Sequence, residues 1–428
     1  MKTSSLLLLT ACGLFVSLAS CVYTKDKFGD DLFDFAMRAL RNKKESIVFS
    51  PLLATLALTE IGQNCKGLGS SEGYGYADGY SDGYSDGYSD GYGYSSRYGY
   101  YDKYYRERKV EKFPKVEKLF RNVDIKTINF RAFIAVAALL KAKSVESKMI
   151  SRLYFDKSVQ VETKFVDSLF ATDPIRAVLR NQRKPTCARI NEDIANKTEG
   201  EIRDYFDCKS LYSNDLMLAA NALHMKFPMH TTKHADPSFE DYYDRETIRD
   251  VYPVRAYTRP DQFTHGDKTI WTTKCEYMEI EHFDKGASIF FINYNSVPFN
   301  NAYKFSHLRN LASRVTGAEY ILPKIKAKST FSLKELLFFP SDQLLFNQND
   351  LSKISNFNDI YLNDIKQKIS FEFTNGTTKA VGDSLARDYE TFKKRWDIDP
   401  LKVPLDMGSR FIYGVLIDGV PVIVGQEV

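Results

Sequence analysis

The apolar residues of this chain change their period as the chain proceeds. Over 30–41, Leu32, Phe33, Phe35, Ala36 and Leu40 recur with charges between them, the spacing of an amphipathic helix. Ser50-Pro51 then opens a second segment over 52–61, where a Ser cap followed by Pro makes a good helix start. Leu52, Leu53, Leu56, Ala57, Leu58 and Ile61 leave it almost no polar side, so it is expected as a buried central helix. The second half is strand-like at 215–225, 287–294, 319–326, 365–373 and 410–416, with 420–424 closing the chain. Further helices are expected at 186–197 and 332–338, the latter capped by Ser332 with Glu335 three residues on. Helices early and long strands late give an α+β class rather than alternating βαβ units.

Two stretches break these patterns. Lys2 precedes an apolar run over 6–18, and Ala19-Ser20-Cys21 offers small residues for cleavage before Val22. That run is short for a bilayer span, so 1–21 reads as a signal peptide and 22–428 as a secreted domain. Leu18-Ala19-Ser20-Cys21 also matches a bacterial lipoprotein cleavage box, in which Cys21 would carry lipid. The second break is a Gly/Ser/Asp/Tyr segment at about 68–106, with Ala77-Asp78-Gly79-Tyr80 followed by three Ser-Asp-Gly-Tyr copies over 81–92. Asp-Gly at every fourth position favours turns and supplies no core, so the segment reads as a flexible insertion in the domain. Beyond it, 97–126 carries ten Lys or Arg against five acids. A solvated helix face is the plain reading; a polyanion-binding patch is the alternative.

Composition narrows the function. With 428 residues, 43% hydrophobic and 27% charged, the chain can bury a sizeable core as one large domain or two ordinary ones. A net charge of +4 does not by itself indicate a nucleic-acid or membrane partner, and a monomer is expected. Cys65, Cys187, Cys208 and Cys275 would remain after cleavage. They allow three pairings, or stay as buried thiols, and lack the CxxC spacing of zinc sites. Asn196-Lys197-Thr198 and Asn375-Gly376-Thr377 are glycosylation sequons. No GxSxG elbow, Walker loop, HExxH or Rossmann glycine pattern occurs. His224, His230, His234, His265, His282 and His307 are scattered; His230 and His234 could share a helix face, but Pro228 and Pro237 bracket a loop-like stretch. Asp30-Asp31 and Glu279/Glu281 read as surface or strand-edge charge. No enzymatic activity, cofactor or metal is expected.

Several ordered stretches carry a resemblance. Ser46-Ile47-Val48-Phe49-Ser50-Pro51-Leu52, with Leu56-Ala57 and Ile61-Gly62, is followed by Ile190-Asn191 and Lys197-Thr198-Glu199-Gly200-Glu201-Ile202. Then come Leu218-Ala219-Ala220-Asn221-Ala222-Leu223 with Lys226, and Leu322-Pro323-Lys324-Ile325-Lys326 with Leu333-Lys334-Glu335-Leu336-Leu337. Phe346 with Asn349-Asp350-Leu351-Ser352-Lys353-Ile354 precedes the ending from Phe411-Ile412-Tyr413 to Val424-Gly425. In this order they resemble the serpin family. The resemblance implies three β-sheets, eight or nine helices and an exposed reactive loop, here over about 376–410.

In inhibitory serpins a protease cleaves that loop, and its N-terminal arm inserts as a new strand in the main sheet, dragging the acylated enzyme along. Insertion needs small apolar residues at alternate positions, because one face of the new strand is buried. Gly376-Thr377 resembles the family's Gly-Thr hinge, yet the alternating set Thr377, Lys379, Val381 and Asp383 contains two charges. A glycan on Asn375 would add a steric obstacle. The loop from Gly376 to Phe411 is longer than is usual in the family, and counting from either end brackets a window containing Lys393-Lys394-Arg395. This cluster suits trypsin-like serine proteases, and a solvated charge run explains it equally. The leading expectation is therefore a secreted serpin with impaired or lost inhibition and a binding, storage or matrix role. The alternatives are a suicide inhibitor cleaved near Lys394-Arg395, and a structural secreted protein acting through its Tyr repeat.

Overall fold

The computed structural model describes residues 23–41, 43–64, 120, 123–177, 183–209, 216–230, 245–249, 254–265, 268–282, 286–293, 304–315, 319–323, 325–336, 351, 353–355, 360, 362, 364–376 and 410–428. Residues 1–21, expected as a signal peptide, and the Gly/Ser/Asp/Tyr segment lie outside them. The first helix, α1 (Lys25–Leu40), starts earlier than its apolar period suggested, because the Thr24 side chain accepts from the Lys27 amide at 3.3 Å and caps it there. After strand β1 (Ile47–Phe49), α2 (Pro51–Gly62) begins as expected: Ser50 Oγ accepts from the Leu53 amide at 3.3 Å, with Pro51 in the first turn. Every residue from 51 to 61 is buried, so α2 is the central helix that its composition calls for.

Next come α3 (Ile125–Lys141), β2 (Glu146–Asp156), α4 (Thr163–Asp167), β3 (Asp173–Ala177), α5 (Arg183–Lys197) and β4 (Met217–His230). β5 (Arg245–Arg249), β6 (Val254–His265), β7 (Lys268–Glu281) and β8 (Ala287–Asn293) follow. After α6 (Phe305–Leu311) the chain forms β9 (Ser313–Val315), β10 (Glu319–Pro323), β11 (Ile325–Ser332) and α7 (Leu333–Leu336). It ends in β12 (Ile365–Gly376), β13 (Phe411–Ile417) and β14 (Val420–Glu427). The capping bond expected at Ser332 is present, its Oγ accepting from the Glu335 amide at 3.2 Å.

The strands form a seven-stranded sheet in the order β1-β14-β13-β8-β7-β6-β9 and a five-stranded sheet in the order β11-β12-β4-β2-β3. β10 and β5 make a separate two-stranded ladder. The described residues thus hold two large sheets, one small ladder and seven helices, against the three sheets and eight or nine helices expected. None of the described helices is long and apolar enough to cross a membrane. The main core contains α1, α2, both large sheets and the inward face of α3. A smaller cluster lies under α5, joining Ile190 and Ile194 to Ile150, Tyr154, Leu218, Ala220 and Ala222. β4 alternates between the two clusters, with Met217, Ala219, Leu223, Met225 and Phe227 in the main core. Burial on both faces explains its nearly continuous apolar sequence.

The C-terminal hairpin is packed tightly enough to require glycine. A Cβ at Gly425 would collide with the Tyr413 ring, and one at Gly414 with the Phe290 ring and the Ile423 carbonyl. Two pairs of acids assigned to the surface are instead placed largely inside. Asp30 and Asp31 are buried: Asp30 accepts from the Ser306 amide and hydroxyl at 2.6 and 2.8 Å, and Asp31 from the Tyr23 hydroxyl at 2.7 Å. Glu279 is buried as well, while Glu281 is partly exposed at the strand end. The Glu279 carboxylate takes a two-pronged contact from Arg309 Nε and Nη2 at 2.9 and 2.8 Å, plus the hydroxyls of Tyr277 and Ser288. Burial pushes the Glu279 carboxyl up, but the Arg309 bonds and charge outweigh it and hold it below the usual range.

Arg309→Ala leaves this carboxylate buried without its cation. The variant is expected to lose about 3–5 kcal/mol of unfolding free energy, measured by urea denaturation, and the loss should shrink when Glu279→Gln is added.

Candidate functional site

The five-stranded sheet carries the feature that could act. β12 runs parallel to β4 through twelve consecutive pairs, from Ile365 opposite Ala219 to Gly376 opposite His230. Their outer neighbours, β11 and β2, are antiparallel to them. The inner face of this seam is apolar, formed by Leu223, Met225 and Phe227 on β4 and Ile369, Phe371 and Phe373 on β12, all buried.

One end of the seam is polar. Gln367 and Asn221 are paired across it, and both are buried. The Gln367 side chain accepts from the Ser50 amide at 2.9 Å and donates to the Ser50 carbonyl at 3.0 Å. Ser50 Oγ in turn donates to the Val422 carbonyl at 2.7 Å. Asn221 Nδ2 donates to the Leu53 carbonyl at 3.1 Å, and its Oδ1 accepts from Ser151 Oγ at 2.9 Å. The Tyr205 hydroxyl enters from the segment after α5. It accepts from the Asn221 amide at 3.0 Å and lies within hydrogen-bonding reach of the carbonyls of Asn221 and Lys366. Burial pushes its pKa well up, so it stays a neutral hydroxyl.

Farther along, His224 stands directly opposite Ser370, with Nδ1 and Oγ 3.1 Å apart. Its Nε2 is buried without a hydrogen-bond partner, and a Glu201 oxygen lies 3.9 Å from Nδ1. Lys226 pairs with the same Glu201 at 3.5 Å, and Lys326 with Glu372 at 3.1 Å. Burial lowers the His224 pKa, opposed by the charge of Glu201.

Gly376, expected to open the hinge, ends β12, and the backbone of Asn375 pairs with Met229. Thr377, Lys379, Val381, Asp383, Lys393, Lys394 and Arg395 lie outside the described residues. Asn196 is exposed on α5. The hydroxyl of its sequon partner Thr198 is buried, donating to the Ile194 carbonyl at 2.8 Å and accepting from the Ile202 amide at 3.2 Å. Of the basic 97–126 segment, only 120 and 123–126 are described; Asp124 there caps α3 by accepting from the Thr127 amide. His230 ends β4 and His234 lies outside the description. Among the cysteines, Cys187 and Cys208 form a disulfide, and Cys275 is a buried thiol whose pKa burial pushes up to about 12. Sequence reasoning passed over Tyr205, Ser151 and Gln367. Asn221 and His224, polar residues inside an apolar run, were the available signal.

Comparison with known proteins bears on this site. The family profile described as Serpin (serine protease inhibitor) matches residues 115–395. The chain is 21% identical over 252 residues to a serine protease inhibitor of Rattus norvegicus, covering 55% of this chain and 58% of that protein. It is 25% identical over 154 residues to serpin B5 of Plecturocebus moloch, covering 34% of this chain and 39% of that protein. The chain thus aligns with less than two thirds of the length of either relative. Uncleaved ovalbumin superposes with a TM-score of 0.64 at 13% identity, covering 94% of this chain and 97% of that one. Native protease nexin-1 with heparin gives 0.61 at 14% identity, covering 94% and 97%. Serpin48 of the insect Tenebrio molitor gives 0.58 at 14% identity, covering 94% and 98%. These structures share the fold.

The His224 pKa has a consequence of definite sign. Because folding disfavours the imidazolium, the associated stability is complete above the unfolded pKa of about 6.5 and declines as pH falls toward the folded value. The charges of Glu201, Lys226, Glu372 and Glu146 act on the ring. Between pH 7.5 and 5 the melting temperature should fall, and His224→Gln should flatten that decline relative to the unsubstituted chain.

Proposed function

The chain belongs to the serpin family, and from that premise we propose that it is a secreted serpin whose protease-trapping step is impaired or lost. Its role would then be binding, storage or the matrix. Members of the family are generally inhibitors rather than catalytic enzymes, and they typically target serine proteases. The observation that carries the proposal is the apolar inner face of the β4–β12 seam, with Leu223, Met225, Phe227, Ile369, Phe371 and Phe373 buried there. An arm entering this seam in the family's register would set Lys379 and Asp383 against that layer. Each unpaired charge there would cost roughly several kcal/mol. Secretion is supported by the apolar run over 6–18 and by the Cys187–Cys208 disulfide, which suits an oxidising compartment. The exposed Asn196 is then open to a glycan.

One observation favours the second reading, a working inhibitor of trypsin-like proteases cleaved near Lys394-Arg395. β4 and β12 run the same way, so a strand placed between them can be antiparallel to both, the direction that gives the better ladder.

Two measurements separate the readings. Incubation with a panel of trypsin-like proteases should give cleaved chain and no SDS-stable covalent complex; such a complex would refute the leading proposal. Cleavage within 393–395 should leave the melting temperature nearly unchanged, whereas a sharp rise would mean that the arm inserts and would establish the second reading.

A further inference from the structure

The segment after α5 crosses the β4–β12 seam and grips both strands. At its start the chain turns through Glu199 and Gly200, both with positive φ, and Thr198 Oγ1 holds the Ile202 amide. The Tyr205 hydroxyl then reaches the Asn221 amide of β4 and the Lys366 carbonyl of β12. From β12, Lys368 Nζ donates to the carbonyls of Arg203 and Asp204 at 2.7 and 3.1 Å. Lys366 Nζ sits 5.4 Å from the centroid of the Phe206 ring. Strand separation therefore has to break contacts that belong to neither strand's own ladder.

The far end of this segment is fastened to α5 twice. Asn191 accepts from the Phe206 amide at 2.8 Å and donates to the Phe206 carbonyl at 3.0 Å. Two residues later, Cys208 is bonded to Cys187 in the second turn of α5, across a sequence separation of 21. Because Thr198 and Cys208 anchor both ends to the same helix, the intervening chain can withdraw Tyr205 only by deforming the closed ring or by carrying α5 with it.

We propose that the Cys187–Cys208 disulfide fastens this segment as a latch across the β4–β12 seam, so that its reduction loosens the seam. Cys187 is fully buried and Cys208 only partly so, which makes the Cys208 sulfur the point of attack. A dithiol reductant supplies the chemistry. Its thiolate attacks Cys208 Sγ, breaking the S–S bond and releasing Cys187 as a thiolate that takes up a proton. The second thiol of the reductant then attacks the mixed disulfide, closing an oxidised cyclic dithiol and freeing Cys208 as a thiol. Two electrons and two protons pass from the dithiol to the protein. Once the covalent tie is gone, only the Asn191–Phe206 hydrogen bonds close the loop around Tyr205, and these can break and reform, so the hydroxyl can leave the seam without moving α5. The inference concerns the seam alone and holds whether or not the chain traps proteases.

Hydrogen exchange on the intact chain tests it, read by mass spectrometry on peptides covering 217–227 and 365–373. Reduction with dithiothreitol, or the paired Cys187→Ser and Cys208→Ser substitutions, should raise exchange in both peptides about tenfold, with β13 and β14 unchanged. Tyr205→Phe, which keeps the disulfide but removes the hydroxyl, should raise seam exchange by itself and leave reduction little to add. The proposal is overturned if seam exchange is insensitive to reduction. It is also overturned if β13 and β14 accelerate equally, which marks general destabilisation, or if Tyr205→Phe protein responds to reduction as fully as the unsubstituted chain. Mass analysis showing Cys187 and Cys208 unpaired in the oxidised protein would overturn it as well.

Discussion

The Gln367 amide, wholly buried, exchanges two hydrogen bonds with the backbone of Ser50, and the order of the layers depends on that exchange. Ser50 caps α2 and also donates its hydroxyl to the Val422 carbonyl. A single cap residue therefore fixes the central helix against β12 of one sheet and β14 of the other. Asn221 repeats the arrangement one strand over, tying β4 to the Leu53 carbonyl and to Ser151 of β2. Each of these groups is buried, so a loss on one side strands a donor or acceptor on the other at a cost of about 1–3 kcal/mol. The constraint is one of position as much as energy. α2 cannot slide along the sheet without orphaning several groups together.

The protein meets its buried polar groups in two ways. At the seam they are neutral: amides, hydroxyls and a histidine whose charged form burial disfavours. Beneath α6 they are ionic, with Glu279 saturated by Arg309 and two hydroxyls. The neutral solution suits a junction between strands, since amide and hydroxyl bonds can be exchanged for others at modest net cost, whereas parting a buried ion pair leaves an uncompensated charge. The ionic solution lies where β7, β8 and α6 meet. The contrast sets a movable boundary within one sheet beside a fixed one in the other.

Much of this was readable from residues near one another in the chain. α2 declared itself through Ser50, Pro51 and an apolar circumference, β8, β13 and β14 through dense apolar runs, and β12 through Ile and Phe alternating with polar residues. The resemblance reached the family because its stretches fall in one order along the chain. What escaped were relations across distance. Gln367 sits between two lysines and looks solvent-facing, and its partner Ser50 is 317 residues away. Glu279 looks like strand-edge charge until Arg309, 30 residues on, is known to close over it. Asp30 and Asp31 interrupt an apolar helical stripe, and only Ser306 and Tyr23 make them interior residues. In α3, β-branched and aromatic residues weaken the helical signal, the first half of β2 is polar, and charges and threonines blur the alternation of β6 and β7. The cysteine pairing followed from neither count nor spacing.

The glycine-bearing hairpin of β13 and β14 closes the fold across its longest sequence separation. β14 pairs with β1, so residues 47–49 meet residues 424–426, and β13 joins that pair to β8. A chain emerging from its N-terminus makes α1, β1 and α2 first, yet β14, which pairs with β1 and packs on both helices, is made last. Until the hairpin is released, α1 and α2 lack the part of their cover that β14 supplies, and closing that contact spans nearly the full chain. Such long-range closure is slow and leaves apolar surface open to misassociation in the interval. Part of the cover of the earliest helices comes from residues at the far end of the sequence.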